Sequence, residues 1–505
     1  MPTVGTARLN AVVMIVLCLV AAACSDAPAE VSASLPSPTT PDTTQPSAPP
    51  VAVPGDTELP IEVPAGADLG ALVEDAEAGA TFLLGAGVHR GHSIEPKDGM
   101  TFEGVPGTTL NGARVLEGFQ PDEALFRLDG VEWVARNHGQ CVDDYEACAL
   151  TQDLFMDDVM LWQVESLDEV APGTWFWSED TIWVADDPSV RRVELSEIAY
   201  AFVGDADDVT IAGLTVEKYA TPAQEGAVQA QRRSEGERGS GWRIESVEAW
   251  GNHGAGIRTG DDTVIVDSYV HHNGQLGITI SGGTNVLIES TEIAFNNTAG
   301  FVWQWEAGGL KATNCTDVTM RDNSVHDNNG PGLWADLDCM NVEYVGNTVT
   351  SNDGPGIFHE ISGAASIHNN DVRDNGHPAS TWLWGAGILV AGSSDTEVFD
   401  NVVLNNGNAI AGIQQDRGEG TYGPRLLMNL NVHDNIIEPG SGRTGIVQDV
   451  GDDAVFESRN NRFTSNTYLN VRGRAYEWLD RAVATKGWTD YGNDVDGTWI
   501  QGEFE

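Results

Sequence analysis

Gly330–Asn370 reads GPGLWADLDCMNVEYVGNTVTSNDGPGIFHEISGAASIHNN and says nearly the same thing twice. Gly332-Leu333-Trp334-Ala335-Asp336 is answered by Gly356-Ile357-Phe358-His359-Glu360, and Asn347 by Asn370. Extending the Gly-apolar pentad outward finds GIRTG at Gly256, GITIS at Gly277, GLKAT at Gly309, GILVA at Gly387, GIQQD at Gly412 and GIVQD at Gly445. Successive starts lie 21, 32, 23, 24, 31, 25 and 33 residues apart, a base period near 23 carrying three insertions. A repeat of this size predicts a solenoid, each turn too small to bury its own apolar face and stacked on the next.

Each pentad is too short for a helix, opens with Gly and carries Ile or Leu at its second slot. That slot reads as an inward column on short strands. A second strand follows in each turn, as in VEYVGNTV and ASIHNNDV, and behind it asparagine recurs at Asn323, Asn347, Asn370, Asn401, Asn435 and Asn461. Stacked asparagines can hydrogen-bond along the column while closing the turn, so they are read as a structural ladder. With 57 glycines and Val, Ile, Thr and Asn dominating beyond residue 200, the chain is expected to be all-β.

The pentads and their NxV turns resemble the bacterial right-handed parallel β-helix proteins of the pectate-lyase-like superfamily. ATFLLGAGVHRG (Ala80–Gly91) and GMTFEGVPGTTLNG (Gly99–Gly112) are similar to that family's first coils. The closing WLDRAVATKGWTDYGNDVDGTW (Trp478–Trp499) is loosely similar to the tail of some members. The resemblance implies a right-handed parallel β-helix from about Ala80 onward, a fold that hosts lyases, hydrolases, epimerases, adhesins and proteins of unknown role. The chain shows no complete catalytic signature of a named lyase or epimerase.

Phe119–Ser196 breaks the repeat. GTWFWSEDTIWVADDP (Gly173–Pro188) reads as a hairpin of a small inserted β-module, similar to one interrupting some carbohydrate-active β-helices. Trp175 and Trp177 are expected in that module's core rather than on a sugar platform. The organisation expected is therefore β-helix coils over 59–118, the module over 119–196, the main β-helix over 197–475 and a cap over 476–505.

The N-terminus, MPTVGTARLNAVVMIVLCLVAAAC, has Arg8 and then an apolar run shorter than the roughly 20 residues of a spanning helix. It reads as an export signal over 1–24 whose Leu19–Cys24 end resembles a bacterial lipobox, with Cys24 lipidated; cleavage within the Ala run is the alternative. Residues 25–58, with PSPTTPDTTQPSAPP, read as a flexible tether. Together they predict a monomeric, extracytoplasmic lipoprotein held to a membrane only through its lipid. Of the six cysteines, Cys18 and Cys24 fall in the signal. An exported chain makes two disulfides of the rest, Cys141 with Cys148 and Cys315 with Cys339. Cys315 and Cys339 each lie three residues before matched strand positions, Val318 and Val342, so they stack one coil apart. No CxxC pair appears, so no zinc site is expected.

Acidic residues outnumber basic ones 76 to 26, a net charge of −50. Such a surface repels nucleic-acid phosphates and anionic lipids and favours neutral glycans over polyanions, although it also suits a salty exterior with no ligand at all. By alternation, the third and fifth slots of each pentad point outward. With coils about 4.8 Å apart, Lys311, Trp334, Asp336, Phe358 and Glu360 then share one patch over three coils. Two insertions preceding pentads carry Trp303 and Trp305 (TAGFVWQWEAG) and Trp382 and Trp384 (GHPASTWLWGAG), at coils roughly 14 Å apart. Indoles flanking carboxylates suit a sugar cleft; the alternative is that each indole caps its own loop.

Asp336 and Glu360, in the same slot of adjacent coils about 5 Å apart, are the candidate catalytic pair of a retaining glycosidase, over an apolar floor of Trp334 and Phe358. Lys311 keeps one of them charged or, in a lyase, serves as base, with the acids and Asp338 holding calcium; otherwise no cofactor is expected. His359, in the inward fourth slot, is a core histidine or a further catalytic group. Three functions fit: a glycan-cleaving enzyme, hydrolase ahead of lyase; a non-catalytic glycan-binding lipoprotein; and a structural surface protein.

Overall fold

A computed structural model describes residues 59–132, 138–143, 145–232, 236–376 and 382–502. Cys24 and the tether lie outside them. Three long sheets of 13, 12 and 13 strands, parallel except for the antiparallel pair that ends the second, make up the β-helix, and each coil of its main body gives one strand to each sheet. One coil, for example, contributes Gly308–Thr313, Thr316–Arg321 and Ser324–His326, and the next Leu333–Asp336, Met340–Val345 and Thr348–Thr350. A single apolar core runs up the axis, through Ile257, Ile278, Leu310, Leu333, Ile357 and Ile388 of the pentads and through Val318, Val342, Val325 and Val349 of the other two sheets.

The site lies on the 12-stranded sheet, on strands β1 (Gly308–Thr313), β2 (Leu333–Asp336), β3 (Ile357–Glu360), β4 (Ala386–Ala391) and β5 (Asn408–Gln414). β1 pairs with β2 as Lys311↔Trp334 and Thr313↔Asp336, and β2 with β3 as Trp334↔Phe358, which is the register read from the repeat. Beyond β4 the register departs from that reading. Gly412 pairs with Val390 and Gly445 with Ala411, so the fifth slot passes from Ala391 to Ile413 and Val447 rather than to Asp416 and Asp449. Packing decides this: Gly412 faces the core, where a Cβ would come within 2.9 Å of Leu427 and Ile446.

The asparagine ladder is present and has a twin. Asn323, Asn347, Asn370, Asn401, Asn435 and Asn466 form one chain of amides, each Nδ2 donating to the next Oδ1 at 2.9–3.0 Å, and Asp494 terminates it. Asn466 takes the rung expected of Asn461, whose Oδ1 instead accepts from the Leu430 amide at another turn. The second ladder runs Asn252, Asn273, Asn296, Asn328, Asn352, Asn375 and Asn406. It also explains why every pentad from Gly256 to Gly387 opens with glycine. A Cβ there would lie 2.6–3.0 Å from the Nδ2 of an asparagine in this second ladder.

The interruption is an antiparallel-rich sheet of eight strands lying between Ala113 and Ser196. Its own core includes Trp175, Leu154, Ile182 and Leu195, with Trp177 packed against it and donating to the Val131 carbonyl. Cys141 is bonded to Cys148 and Cys315 to Cys339. At the C-terminal end, Trp488, Tyr468 and Tyr476 close the core over the last coil. No helix among the described residues is long and apolar enough to cross a membrane.

Candidate functional site

The third-slot side chains of β2 and β3 leave the core on the outer face, yet they are buried. Trp334 and Phe358 stack with centroids 5.3 Å apart and planes 14° from parallel, as the rung spacing requires. The two Trp-bearing insertions close over them. Trp303 meets Trp334 edge-on at 6.2 Å and Trp384 meets Phe358 edge-on at 6.1 Å. The result is a cleft of about 530 Å³, with Trp334 and Phe358 as floor, Trp303 and Trp384 as walls, and Glu360, Arg417 and Asp353 as its charged lining. Aromatic faces around a few polar groups are the general make-up of a small-molecule or oligosaccharide site.

Two of the four expected tryptophans are placed elsewhere. Trp305 stacks on Phe301 at 6.0 Å and meets His138, in a small cluster with Cys141 and Tyr145 against the inserted module. Trp382 packs against the same buried cluster as Trp303 and Trp384. Neither Trp305 nor Trp382 lines the cleft, whereas Trp303 and Trp384 do.

Asp336 and Glu360 occupy equivalent slots and have different surroundings. Asp336 does not line the cleft. Its Oδ2 lies 3.0 Å from Lys311 Nζ, its Oδ1 accepts from the Leu337 amide at 2.7 Å, and both partners of the ion pair are buried. The Lys311 ammonium sits 3.6 Å from the centroid of Trp334, which separates it from the cleft. Glu360 faces the cleft, where its Oε2 accepts from Trp334 Nε1 at 3.2 Å and its Oε1 lies 2.5 Å from Arg417 Nη1. Burial above all, and next the charge of Asp336, raise the Glu360 pKa; Arg417 and Lys311 oppose them and are outweighed.

His359 points into the core, fully buried, with Nε2 2.8 Å from the Gly363 carbonyl and Tyr344 beside its Nδ1. Burial lowers its pKa to about 4, so it is a neutral core histidine with no route to the cleft. Asp338 accepts from the Thr421 amide at 2.8 Å and pairs with Arg425 at 3.2 Å. Each of the three acids considered for calcium therefore has its own cation: Lys311, Arg425 or Arg417. Among the described residues no three His, Cys, Asp or Glu side chains converge as a metal site requires.

Arg417 and Asp353 were missed in the sequence. Arg417 belongs to the long segment between β5 and the next coil, which reaches back two coils to pair with Glu360; Asp353 lies in the Asn352–Pro355 turn ahead of β3. The signal for Arg417 was the 33-residue step after Gly412 together with the scarcity of cations. Its RGEGTYGPR run (Arg417–Arg425) holds two arginines in a chain with 26 basic residues, and both close on acids of β2 and β3 or their turns.

A family model for the right-handed beta helix region matches residues 235–403. Among solved structures, XylC in complex with xylose superposes with a TM-score of 0.60 at 13% identity, covering 86% of this chain and 83% of that one. The A-module of mannuronan C-5 epimerase AlgE6 from Azotobacter vinelandii gives 0.51 at 14% identity, covering 86% and 94%. At these identities the likeness is one of fold. No curated protein matches the sequence.

Proposed function

We propose that this right-handed parallel β-helix protein binds a polysaccharide in the trough of Trp303, Trp334, Phe358 and Trp384 and hydrolyses it, with Glu360 as proton donor. The observation that carries the reading is a carboxyl of raised pKa set at the edge of an aromatic trough. A pyranose packs its apolar face on Trp334 and Phe358 between the indole walls, and Glu360 gives its proton to the glycosidic oxygen as the C–O bond breaks. The carboxylate so formed is held by Arg417 and the Trp334 N–H.

The second carboxylate is Asp353. It lines the same cleft and is exposed to water, so it takes a proton from the water whose oxygen bonds to the anomeric carbon. Asp336 is unsuited to that role, since Lys311 and the Leu337 amide occupy its oxygens behind Trp334; it acts on Glu360 through its charge. Lys311 is unsuited to serve as a lyase base for the same reason of place. Support from known proteins is limited to the fold, which is shared with a protein bound to xylose and with a mannuronan epimerase module.

The test is to incubate the protein with a panel of neutral and uronate polysaccharides and read both new reducing ends and unsaturated products. Reducing ends without unsaturation are expected, and Glu360→Gln is expected to lower the rate by about 10²- to 10⁴-fold, the usual worth of a general acid, while binding persists. Unsaturated products would replace hydrolysis by elimination. Binding lost in Trp303→Ala and Trp384→Ala with no cleavage by the parent would leave a glycan-binding protein.

The proposal includes export and anchoring through a lipidated Cys24, motivated by the lipobox-like Leu19–Cys24 and the tether behind it. Cys24→Ala should move the protein from the membrane to the soluble fraction. Unchanged partitioning would remove the anchor from the proposal.

A further inference from the structure

We infer that the protein carries a second carbohydrate-binding site, independent of the trough, in the cleft between the inserted module and the outer face of the β-helix. The cleft is about 610 Å³. On one side stand Phe155, Val159 and Met160 of the module; on the other stand Trp250, His271 and His272 of two successive coils. It shares no lining residue with the trough.

The β-helix side is a built platform. Trp250 and His271 are register partners, and their rings lie 4° from parallel at 6.2 Å. Tyr269 stacks on His271 at 3.7 Å, and His272 stacks on Phe295 at 4.9 Å. Phe155 and Trp250 are edge-on at 6.5 Å with the Lys218 ammonium 5.3 Å from both rings, so the module is fixed where it faces the platform. Lys218 itself is fully buried and bound to Glu194 at 2.7 Å and to Asp158.

In a chain of net charge −50, this cleft leaves apolar surface open to water. Val159 in its lining is 65% exposed, and Phe295, outside the lining but stacked on His272, is 38% exposed. Contiguous open apolar surface with polar groups at its rim marks a recognition site. The rim supplies the half-exposed carboxylates of Asp158 and Glu248 and the imidazoles of His271 and His272.

That combination selects the ligand. Flat aromatic faces pack the C–H faces of a pyranose, and carboxylates and imidazoles at the edge bind its hydroxyls. An anionic sugar would meet Asp158 and Glu248, while the cations beside them, Lys218 and Arg192, are both already paired with Asp158 and Glu194. The site is therefore suited to a neutral glycan. Placed away from the trough, it would hold the protein on a polysaccharide while the trough engages a chain, so that the two sites add by effective concentration.

The test is affinity electrophoresis of the full protein in native gels containing soluble xylan, glucomannan or arabinogalactan. At least one gel is expected to retard the parent, with retardation reduced several-fold in Trp250→Ala and in Val159→Arg. The second variant places bulk at an exposed rim position, so the fold does not depend on it. Retardation should survive in part in the Trp303→Ala, Trp384→Ala double variant and in Glu360→Gln. A parent that no gel retards, or retardation unchanged by both Trp250→Ala and Val159→Arg, overturns the second site. Retardation lost in the trough variants and intact in the cleft variants would overturn the second site and leave the trough reading in place.

Discussion

Replacing His359 by Gln should remove a measurable share of the acid sensitivity of the fold, beside the share of carboxylates such as Glu194, Glu248 and Asp338 whose pKa values are lowered. The imidazole is fully buried beneath β3 and its pKa falls from 6.5 to about 4, so the folded protein keeps it neutral where the unfolded chain protonates it. A base with a lowered folded pKa gives stability that is present above its unfolded value and is lost as pH falls toward the folded one. Between pH 7 and 4.5 the unfolded imidazole passes from about a quarter protonated to fully protonated, while the folded one only begins to take up its proton. Integrated over that window the loss is about 2 kcal/mol from this one residue. Gln can still donate from Nε2 to the Gly363 carbonyl, as the histidine's Nε2 does now, and does not titrate. The buried carboxyls of Glu217, Glu360, Glu477 and Asp494 have raised pKa values and act with the opposite sign, gaining stability as pH falls; they are common to both proteins and cancel in the difference. Denaturant unfolding followed by tryptophan fluorescence at pH 7 and pH 4.5 measures it. Parent and His359→Gln losing equal stability between the two would mean that His359 is charged or hydrated in the folded protein, and the reasoning would fail.

Two further predictions concern the site and the ladder. The hydrolytic rate should fall as pH rises through the raised pKa of Glu360, because only its protonated form donates; Asp336→Asn removes a charge that helps to raise that pKa and should move the alkaline limb to lower pH, and an unmoved limb refutes the coupling. Asn352→Ala leaves the buried Asn328 amide N–H without its acceptor, while Asn328 Nδ2 keeps the Ile293 and His326 carbonyls, and should cost about 1–3 kcal/mol, the worth of one unsatisfied buried group; a loss under 1 kcal/mol in denaturant unfolding would show that the second ladder does not hold the coils.

The coil architecture was legible because the solenoid imposes a rule on every turn. Inward apolar slots as far as Ile388, the first asparagine ladder as far as Asn435 and the register of β1 with β2 and β3 follow from spacing alone. The second ladder was legible as well, five residues behind the first at Asn328, Asn352, Asn375 and Asn406 and four ahead of Gly256, Gly277, Gly332 and Gly356; it escaped because the glycine it requires was taken only as a repeat marker. The slip at Gly412 has the same root: a glycine there marks close packing against Leu427 and Ile446, and the alignment treated all glycines alike.

What the repeat could not show is how two acids in one slot come to differ. Asp336 and Glu360 are equivalent by rung, yet the side chain ahead of each in its own strand, Trp334 or Phe358, changes what each acid meets. The Trp334 indole covers Lys311 on one face and donates from Nε1 to Glu360, so the same ring that screens the Lys311–Asp336 pair orients the Glu360 carboxyl at the cleft. The carboxyl's other oxygen is set by Arg417, from a segment 57 residues further along the chain. A repeat encodes contacts between neighbouring coils, and this one arises where an insertion leaves the stack and folds back. Irregularities of the repeat, namely the Trp303 and Trp384 loops and the Arg417 segment, therefore build the trough, while the regular coils supply its floor and the buried charge beneath it.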